Sequence, residues 1–149
     1  MTQLRLASVE DLPAMHGAAQ EFYDSSVALR HFDIDKFTAI WTQFLQVNFG
    51  VIFLAEQDGQ IEGALGGVIH PDLYGTELIA EEFFWFIRKE SRGAGIGLYR
   101  KFEEWARGRG AVEIQMVHLL DLMPEKVGAF YRRAGFTPIE TRYSKRLPA

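Results

Sequence analysis

The sequence predicts an α/β fold in which a mixed sheet of six to seven strands is flanked by about four helices. Its 149 residues are 48% hydrophobic and 24% charged, as in one ordinary globular domain. Along the chain, segments in which polar and apolar residues alternate, as in strands, are interspersed with segments of helical periodicity. Their order, β-α-α-β-β-β-α-β-α-β-β, requires a sheet that is partly antiparallel and partly parallel. We expect a single domain over residues 1–149, since no linker or repeat divides them.

The first third of the chain predicts a strand at 3–7 and helices at 8–22 and 33–49. Ser8 is followed three residues later by Asp11, the spacing of an N-terminal capping box. Gly50 is expected to end the second helix. The two helices are rich in aromatic residues at a spacing that favours core packing, although the same side chains could border a ligand. These residues are Phe22, Tyr23, Phe32, Phe37, Trp41 and Phe44.

The remainder predicts strands at 51–56, 61–69, 78–88, 111–120 and 136–146, the last being one or two strands, and helices at 98–107 and 124–133. Between the first two of these strands, Asp58-Gly59 is a strong hairpin signal. Pro124 suits the first turn of the last helix, and Gly135 stops it. Pro138 is expected to bend the final strand.

Composition excludes several classes of site. The chain has no cysteine, which removes disulfides, thiolate metal sites and a cysteine nucleophile. A net charge of −4 argues against a nucleic-acid partner, and the four histidines show no metal-ligand spacing. No apolar stretch approaches the roughly 20 residues that span a bilayer. The N-terminus shows no signal peptide, so we expect no membrane partner and a cytoplasmic location.

A glycine-rich segment, Ser91-Arg92-Gly93-Ala94-Gly95-Ile96-Gly97-Leu98, lies between a predicted strand and a predicted helix. Glycines let a ligand approach the backbone, and free N–H groups at a helix start bind anions such as a pyrophosphate. The segment lacks the Lys-Ser/Thr of a Walker loop, and Leu98 stands where a dinucleotide fingerprint needs glycine. A tight turn that uses glycine only for its geometry is the competing interpretation.

At Arg92, Gly95 and Gly97 the segment resembles motif A of the GNAT superfamily of N-acetyltransferases, Arg/Gln-x-x-Gly-x-Gly/Ala. The run Phe130-Tyr131-Arg132-Arg133-Ala134-Gly135-Phe136 is similar to a second hallmark of that superfamily. The ending from Pro138 to Leu147 resembles a small bacterial and phage-like branch. The resemblance covers essentially the whole chain.

The resemblance implies acetyl-CoA as cosubstrate and a sheet that is splayed at its centre, where the fourth strand receives the pantetheine arm. No metal is implied. The residues expected to bind the cosubstrate are Trp85, Phe86, Ile87, Arg92, Gly93, Ala94, Gly95, Ile96, Gly97 and Leu98. Arg88, Lys89, Arg100 and Lys101 could meet its 3′-phosphate, but solvated surface charge is the commoner explanation for such residues.

For catalysis, Glu81 stands where many family members carry a catalytic glutamate, with Glu82 as the alternative base. A phenol has a pKa near ~10, close to that of an alkylthiol, so Tyr131 is the expected proton donor to the departing thiolate. Tyr143 is a weaker substitute, and His118 could reach the acceptor.

The predicted function is transfer of acetyl from acetyl-CoA to a primary amine by direct attack in a ternary complex. The residues leave open whether the acceptor is a small molecule or a protein. The alternative is a non-catalytic module of the same fold that binds acyl-CoA. The resemblance also implies a homodimer formed through the late strands.

Overall fold

A computed structural model describes residues 2–27 and 31–149, and at Arg92 it describes the backbone alone. The chain forms two compact units, Met1–Val117 and His118–Ala149. The strands of the first unit are β1 (Gln3–Leu6), β2 (Gly50–Gln57), β3 (Gln60–Pro71), β4 (Leu78–Ile87) and β5 (Glu113–Gln115). Its helices are α1 (His16–Asp24), α2 (Ile34–Gln46) and α3 (Gly95–Gly108), with 3₁₀ helices at Val9–Met15 and Lys89–Ala94. The second unit contains α4 (Pro124–Arg133).

The first predicted helix is divided into a 3₁₀ turn and α1. The predicted capping box is present, and the Ser8 amide donates to Asp11 Oδ2 at 2.8 Å. Pro13 lies inside the 3₁₀ turn, where its missing N–H interrupts regular α-helical bonding. Asp33 caps α2 by accepting from the amides of Asp35 and Lys36 at 2.9 and 3.1 Å.

The sheet runs in the order β1-β2-β3-β4-β5, antiparallel except for the parallel pair β4 and β5. The hairpin between β2 and β3 is confirmed. Asp58 and Gly59 both adopt positive φ, 53° and 76°, which is the backbone of a type I′ turn. The described residues therefore form a mixed α/β fold with four α-helices, as predicted.

The prediction of six to seven strands is wrong, because the described residues form five. The predicted strand at 111–120 is reduced to Glu113–Gln115, and residues 136–146 are in neither strand nor helix. Ile139, Tyr143 and Leu147 are all highly exposed. With these three apolar side chains exposed, the segment lacks the buried face that specifies the register of a strand.

The core under α1 and α2 is aromatic. Phe84 of β4 lies at its centre, with ring centroids 5.0 Å from Trp41, 5.5 Å from Phe37 and 5.7 Å from Phe86. Phe32, Phe37 and Trp41 are each less than 9% exposed. The predicted core-packing role of the aromatic residues is therefore observed. Burial of this kind stabilises a fold by about 1.5–3 kcal/mol for each large side chain.

The other face of the sheet is covered by α3, whose Leu98, Phe102 and Ala106 are fully buried. Gly67 of β3 permits this contact. A Cβ atom there would lie 2.6 Å from the Phe102 ring and 2.7 Å from the Glu81 carbonyl oxygen, so a larger residue would push α3 away. This close packing fixes the start of α3 beside the end of β4. None of the described helices has the length and apolar character needed to cross a bilayer.

Candidate functional site

The edge of β4 beyond its pairing with β5 forms one side of the candidate site. β4 pairs with β5 at only three positions, Ile79 to Glu81. Beyond these positions β4 continues to Ile87 and remains paired with β3 on its other side. Among the described residues no strand covers the β5 side of β4 from Glu82 onward. Such an edge offers backbone N–H and C=O groups to a ligand.

The glycine-rich segment follows this edge directly. Lys89–Ala94 is a 3₁₀ turn kinked at Ser91, and α3 begins at Gly95, three residues before the predicted start. The first turn of α3 therefore contains Gly95, Ile96, Gly97 and Leu98. No side chain at the N-cap Ala94 caps the amides of this first turn. Together with the helix dipole, these amides form an anion-binding end.

Packing within the protein explains Gly97 but not Gly93 or Gly95. A Cβ atom at Gly97 would lie 2.5 Å from Leu4 Cδ1, whereas one at Gly93 would have nothing within 4 Å. At Gly95 the nearest atoms, in Trp85 and Ile87, would be at ordinary contact distances of 3.9 Å. Neither Gly93 nor Gly95 has positive φ. Because glycine in a helix destabilises it by about 1 kcal/mol relative to alanine, these two positions fit a ligand that approaches the backbone.

Trp85 joins the edge of β4 to the start of α3. Its indole Nε1–H donates to the Gly95 carbonyl oxygen at 3.2 Å, and its ring lies 6.3 Å from that of Tyr99. The neighbouring Phe86 side chain lies in the opposite core, 5.4 Å from the ring of Phe22. Of the predicted cosubstrate residues, Trp85, Ile87 and Gly95 are thus brought together. The backbone groups of Phe86 face β3, because Arg88 N donates to Glu62 O and strand N–H groups alternate in direction, so the prediction of Phe86 as an oxyanion donor is wrong.

The basic side chains considered for phosphate binding differ in their surroundings. The side chain of Arg92 lies outside what the structure describes. Arg88 lies against α1, with Nε 3.8 Å from Glu21 Oε2 and Nη2 close to Gly17. Lys89, Arg100 and Lys101 are exposed.

Glu81 lies beside a histidine that the sequence did not single out. Glu81 Oε2 is 3.0 Å from His70 Nε2, and His70 Nδ1 is 2.8 Å from the Pro71 carbonyl oxygen. The Pro71 carbonyl, then Glu81, raises the pKa of His70. The register between β3 and β4 is what brings these two side chains together. Glu81 is opposite Val68, and His70 is two residues further along the same face of β3.

Glu82 is almost completely buried, and its carboxylate accepts from the Val117 amide at 3.3 Å. Burial raises the pKa of Glu82 to about 8, an effect increased by Glu81 and opposed by the Val117 hydrogen bond. Glu82 is opposite Gly67, so it faces α3. The two candidate bases therefore differ in environment, Glu81 being partly exposed and Glu82 enclosed.

Tyr131 belongs to the second unit, on α4. Its side chain is buried, with ring centroids 6.3 Å from His118 and 5.3 Å from Phe136. His118 packs against Gly128, and its Nε2 is a buried atom without a hydrogen-bond partner in the described chain. Tyr143 is 95% exposed, in the segment without regular structure. Within the described ranges, no three His, Asp or Glu residues are grouped to hold a metal ion.

Known proteins share a sequence profile and a fold with this chain. Residues 13–136 match the sequence profile of the Acetyltransferase (GNAT) family. A predicted acetyltransferase from Clostridium acetobutylicum, solved with acetyl-CoA, is 22% identical with a TM-score of 0.75, over 98% of this chain and 96% of that one. No match was found among curated protein sequences.

Two further solved structures have named acceptors. A ribosomal-protein-alanine N-acetyltransferase from Brucella melitensis is 14% identical, with a TM-score of 0.75 over 99% of this chain and all of that one. An aminoglycoside acetyltransferase from an uncultured soil metagenomic sample, in complex with sisomicin, is 15% identical, with a TM-score of 0.72 over 99% and 96%. These likenesses establish a shared fold, and the sequence profile covers most of the chain. The protein belongs to the acetyltransferase (GNAT) family.

Proposed function

We propose that the protein transfers the acetyl group of acetyl-CoA to a primary amine, by direct attack in a ternary complex. The observation that carries this proposal is the pair Gly93 and Gly95, which no internal contact or positive φ requires. They lie where the edge of β4 beyond β5 meets the first turn of α3, a place suited to a thioester arm and its pyrophosphate.

Acetyl-CoA supplies an activated thioester. The amine nitrogen attacks the thioester carbonyl carbon, a C–N bond forms and the C–S bond breaks. The nitrogen loses a proton and the thiolate gains one, so the exchange balances. The backbone N–H of Ile87 faces away from β3 and would donate to the developing oxyanion. Glu81 would accept the amine proton through water, and Tyr131 would protonate the thiolate.

The acceptor class is a primary amine carried by a small molecule or by a protein. The sisomicin complex of one solved relative supports a small polyamine, whereas the ribosomal-protein acetyltransferase supports a protein amine. The net charge of −4 is compatible with a cationic acceptor in either case.

Thiol release tests the proposal. Purified protein is mixed with acetyl-CoA and, separately, with sisomicin, spermidine and an alanine-terminated peptide. We expect free thiol to appear with at least one amine, at a rate that saturates in both substrates, together with a stoichiometric acetylated product. Saturable binding of acetyl-CoA without thiol release for any acceptor would instead indicate a non-catalytic acyl-CoA-binding module. Absence of binding would exclude both.

Tyr131→Phe is expected to lower kcat about 100-fold, because the proton for the thiolate would have to come from solvent. The variant keeps the ring that contacts His118 and Phe136, so folding and acetyl-CoA affinity should be preserved. Steady-state kinetics with a matched Tyr74→Phe control make the comparison, since that exposed phenol should be replaceable without effect. Unchanged turnover of Tyr131→Phe at every pH would refute the donor role.

A further inference from the structure

The contacts of His70 define where protons can reside at the end of β3. A carbonyl oxygen can only accept, so the 2.8 Å contact between Nδ1 and the Pro71 oxygen places a proton on Nδ1. Nε2 then faces Glu81 Oε2 at 3.0 Å. When the ring is neutral, a bare nitrogen faces a carboxylate. When Nε2 is protonated, the same contact becomes an imidazolium–carboxylate hydrogen bond. The arrangement thus holds a place for one additional proton.

We propose that His70 is the group that stores the proton released by the acceptor amine, taking it up through Glu81. The inference rests on the proposed acetyltransfer. His70 acts through Glu81 and is therefore a positioning residue, whereas Glu81 is the group that faces the acceptor. The proton leaves the amine nitrogen, reaches the Glu81 carboxylate through water, and comes to rest on His70 Nε2. It returns to solvent after the product leaves.

Acid strengths favour this route over an isolated glutamate. An alkylammonium has a pKa near ~10 and glutamate near ~4.3, so proton transfer to a lone carboxylate is disfavoured by about 10⁶-fold. Transfer to a histidine with an ordinary pKa of ~6.5 is disfavoured by only about 3 × 10³-fold. The raised pKa of His70 narrows this gap further. The pair therefore accepts the proton at least two orders of magnitude more readily than Glu81 alone.

The surroundings of His70 and Glu81 allow a proton to reach the pair and to return to solvent. The side chains of His70 and Glu81 are 33% and 25% exposed, so both reach solvent. The charged groups that act on His70 are Glu81 of β4 and Asp72 in the turn after β3, both acidic. Glu82 also lies next to Glu81, but it is buried and faces α3. The groups that shift the pKa of His70 include no positively charged side chain, which would oppose protonation of the ring.

The pH–rate profile of kcat/KM tests the inference. In wild type, activity should rise with pH as His70 loses its stored proton, with a midpoint above ~6.5. In His70→Gln the plateau should fall about 30- to 100-fold, and the midpoint should move away from the histidine range. His70→Asn, which can still donate to the Pro71 carbonyl, should behave in the same way. His16→Gln, on α1, is the matched control and should leave the profile unchanged.

A purely structural tie between β3 and β4 would change stability but not the midpoint. If both His70 variants kept the wild-type midpoint, or if their kcat/KM stayed within twofold of wild type, the inference would be overturned. The proposed acetyltransfer would be unaffected by that result. Absence of thiol release from wild type would overturn the acetyltransfer, and the proton role with it. NMR titration of the His70 ring gives a readout without turnover. Its pKa should lie above ~6.5 and fall in Glu81→Gln, and an unchanged value would contradict the pairing.

Discussion

Gly95→Glu is expected to weaken acetyl-CoA binding at least ~100-fold. The substitution places a carboxylate at the first residue of α3, where the helix dipole and the amides of the first turn favour the anionic pyrophosphate. Hydrogen bonds to a charged group contribute about 1.5–3 kcal/mol each, so the loss of two exceeds a hundredfold change in affinity. Calorimetric titration of acetyl-CoA into the purified variant and wild type measures the loss directly.

Two matched variants separate the effect of the site from general effects on the helix. In Gly95→Ala the added Cβ makes only ordinary contacts with Trp85 and Ile87, so the fold is preserved and any loss of affinity reports close approach of the ligand. Gly108→Glu adds the same charge to the last residue of α3, about 20 Å away, where a Cβ atom meets nothing within 4 Å. It should bind normally. Equal binding by Gly95→Glu and wild type would mean that the glycine-rich turn is only structural.

Glu82→Gln is expected to stabilise the protein increasingly as pH rises. Burial raises the folded-state pKa of Glu82 from 4.5 to about 8, so the fold favours the neutral carboxyl. Below pH 4.5 the group is neutral in both states and causes no loss. Between pH 4.5 and 8 the unfolded chain releases the proton while the folded chain retains it, and the free energy of unfolding falls. The accumulated loss is on the order of 3–5 kcal/mol.

The glutamine side chain never ionises, yet its carbonyl oxygen can still accept from the Val117 amide. Urea unfolding of wild type and Glu82→Gln between pH 4 and 9 should give similar values at pH 4 and a difference of several kcal/mol at pH 9. Glu104→Gln, at an exposed position of α3, should follow wild type across the range. A difference between wild type and Glu82→Gln that does not change with pH would contradict a neutral, buried Glu82.

Local signals in the sequence predicted much of the fold. Asp58-Gly59 predicted the hairpin because positive φ at two successive residues suits few others. Asp33 predicted the start of α2 because its carboxylate satisfies free amides one turn ahead. Gly135, at φ 92°, predicted the end of α4. Each of these features depends on residues within one turn of each other.

Element length was less predictable. Residues 111–120 carry enough apolar residues for a long strand, but only three of them pair with β4. Gly50 was expected to end α2, whereas that helix ends at Gln46 and Gly50 is a buried residue of β2. Its missing side chain admits Phe44, since a Cβ atom would lie 2.7 Å from Phe44 Cβ. A glycine that is needed for packing is indistinguishable, in the sequence alone, from one that ends a helix.

By itself, the sequence determined the fold class, the family and the position of the glycine-rich turn, because these depend on periodicity and on residues that are close in the chain. The tertiary structure alone decided that His70 is paired with Glu81 and that Glu82 is buried with a raised pKa. The same adjacent glutamates differ because successive side chains of a strand point to opposite faces. Strand register, and packing between elements distant in sequence, determine which face of β4 is solvated and which side chains contact each glutamate.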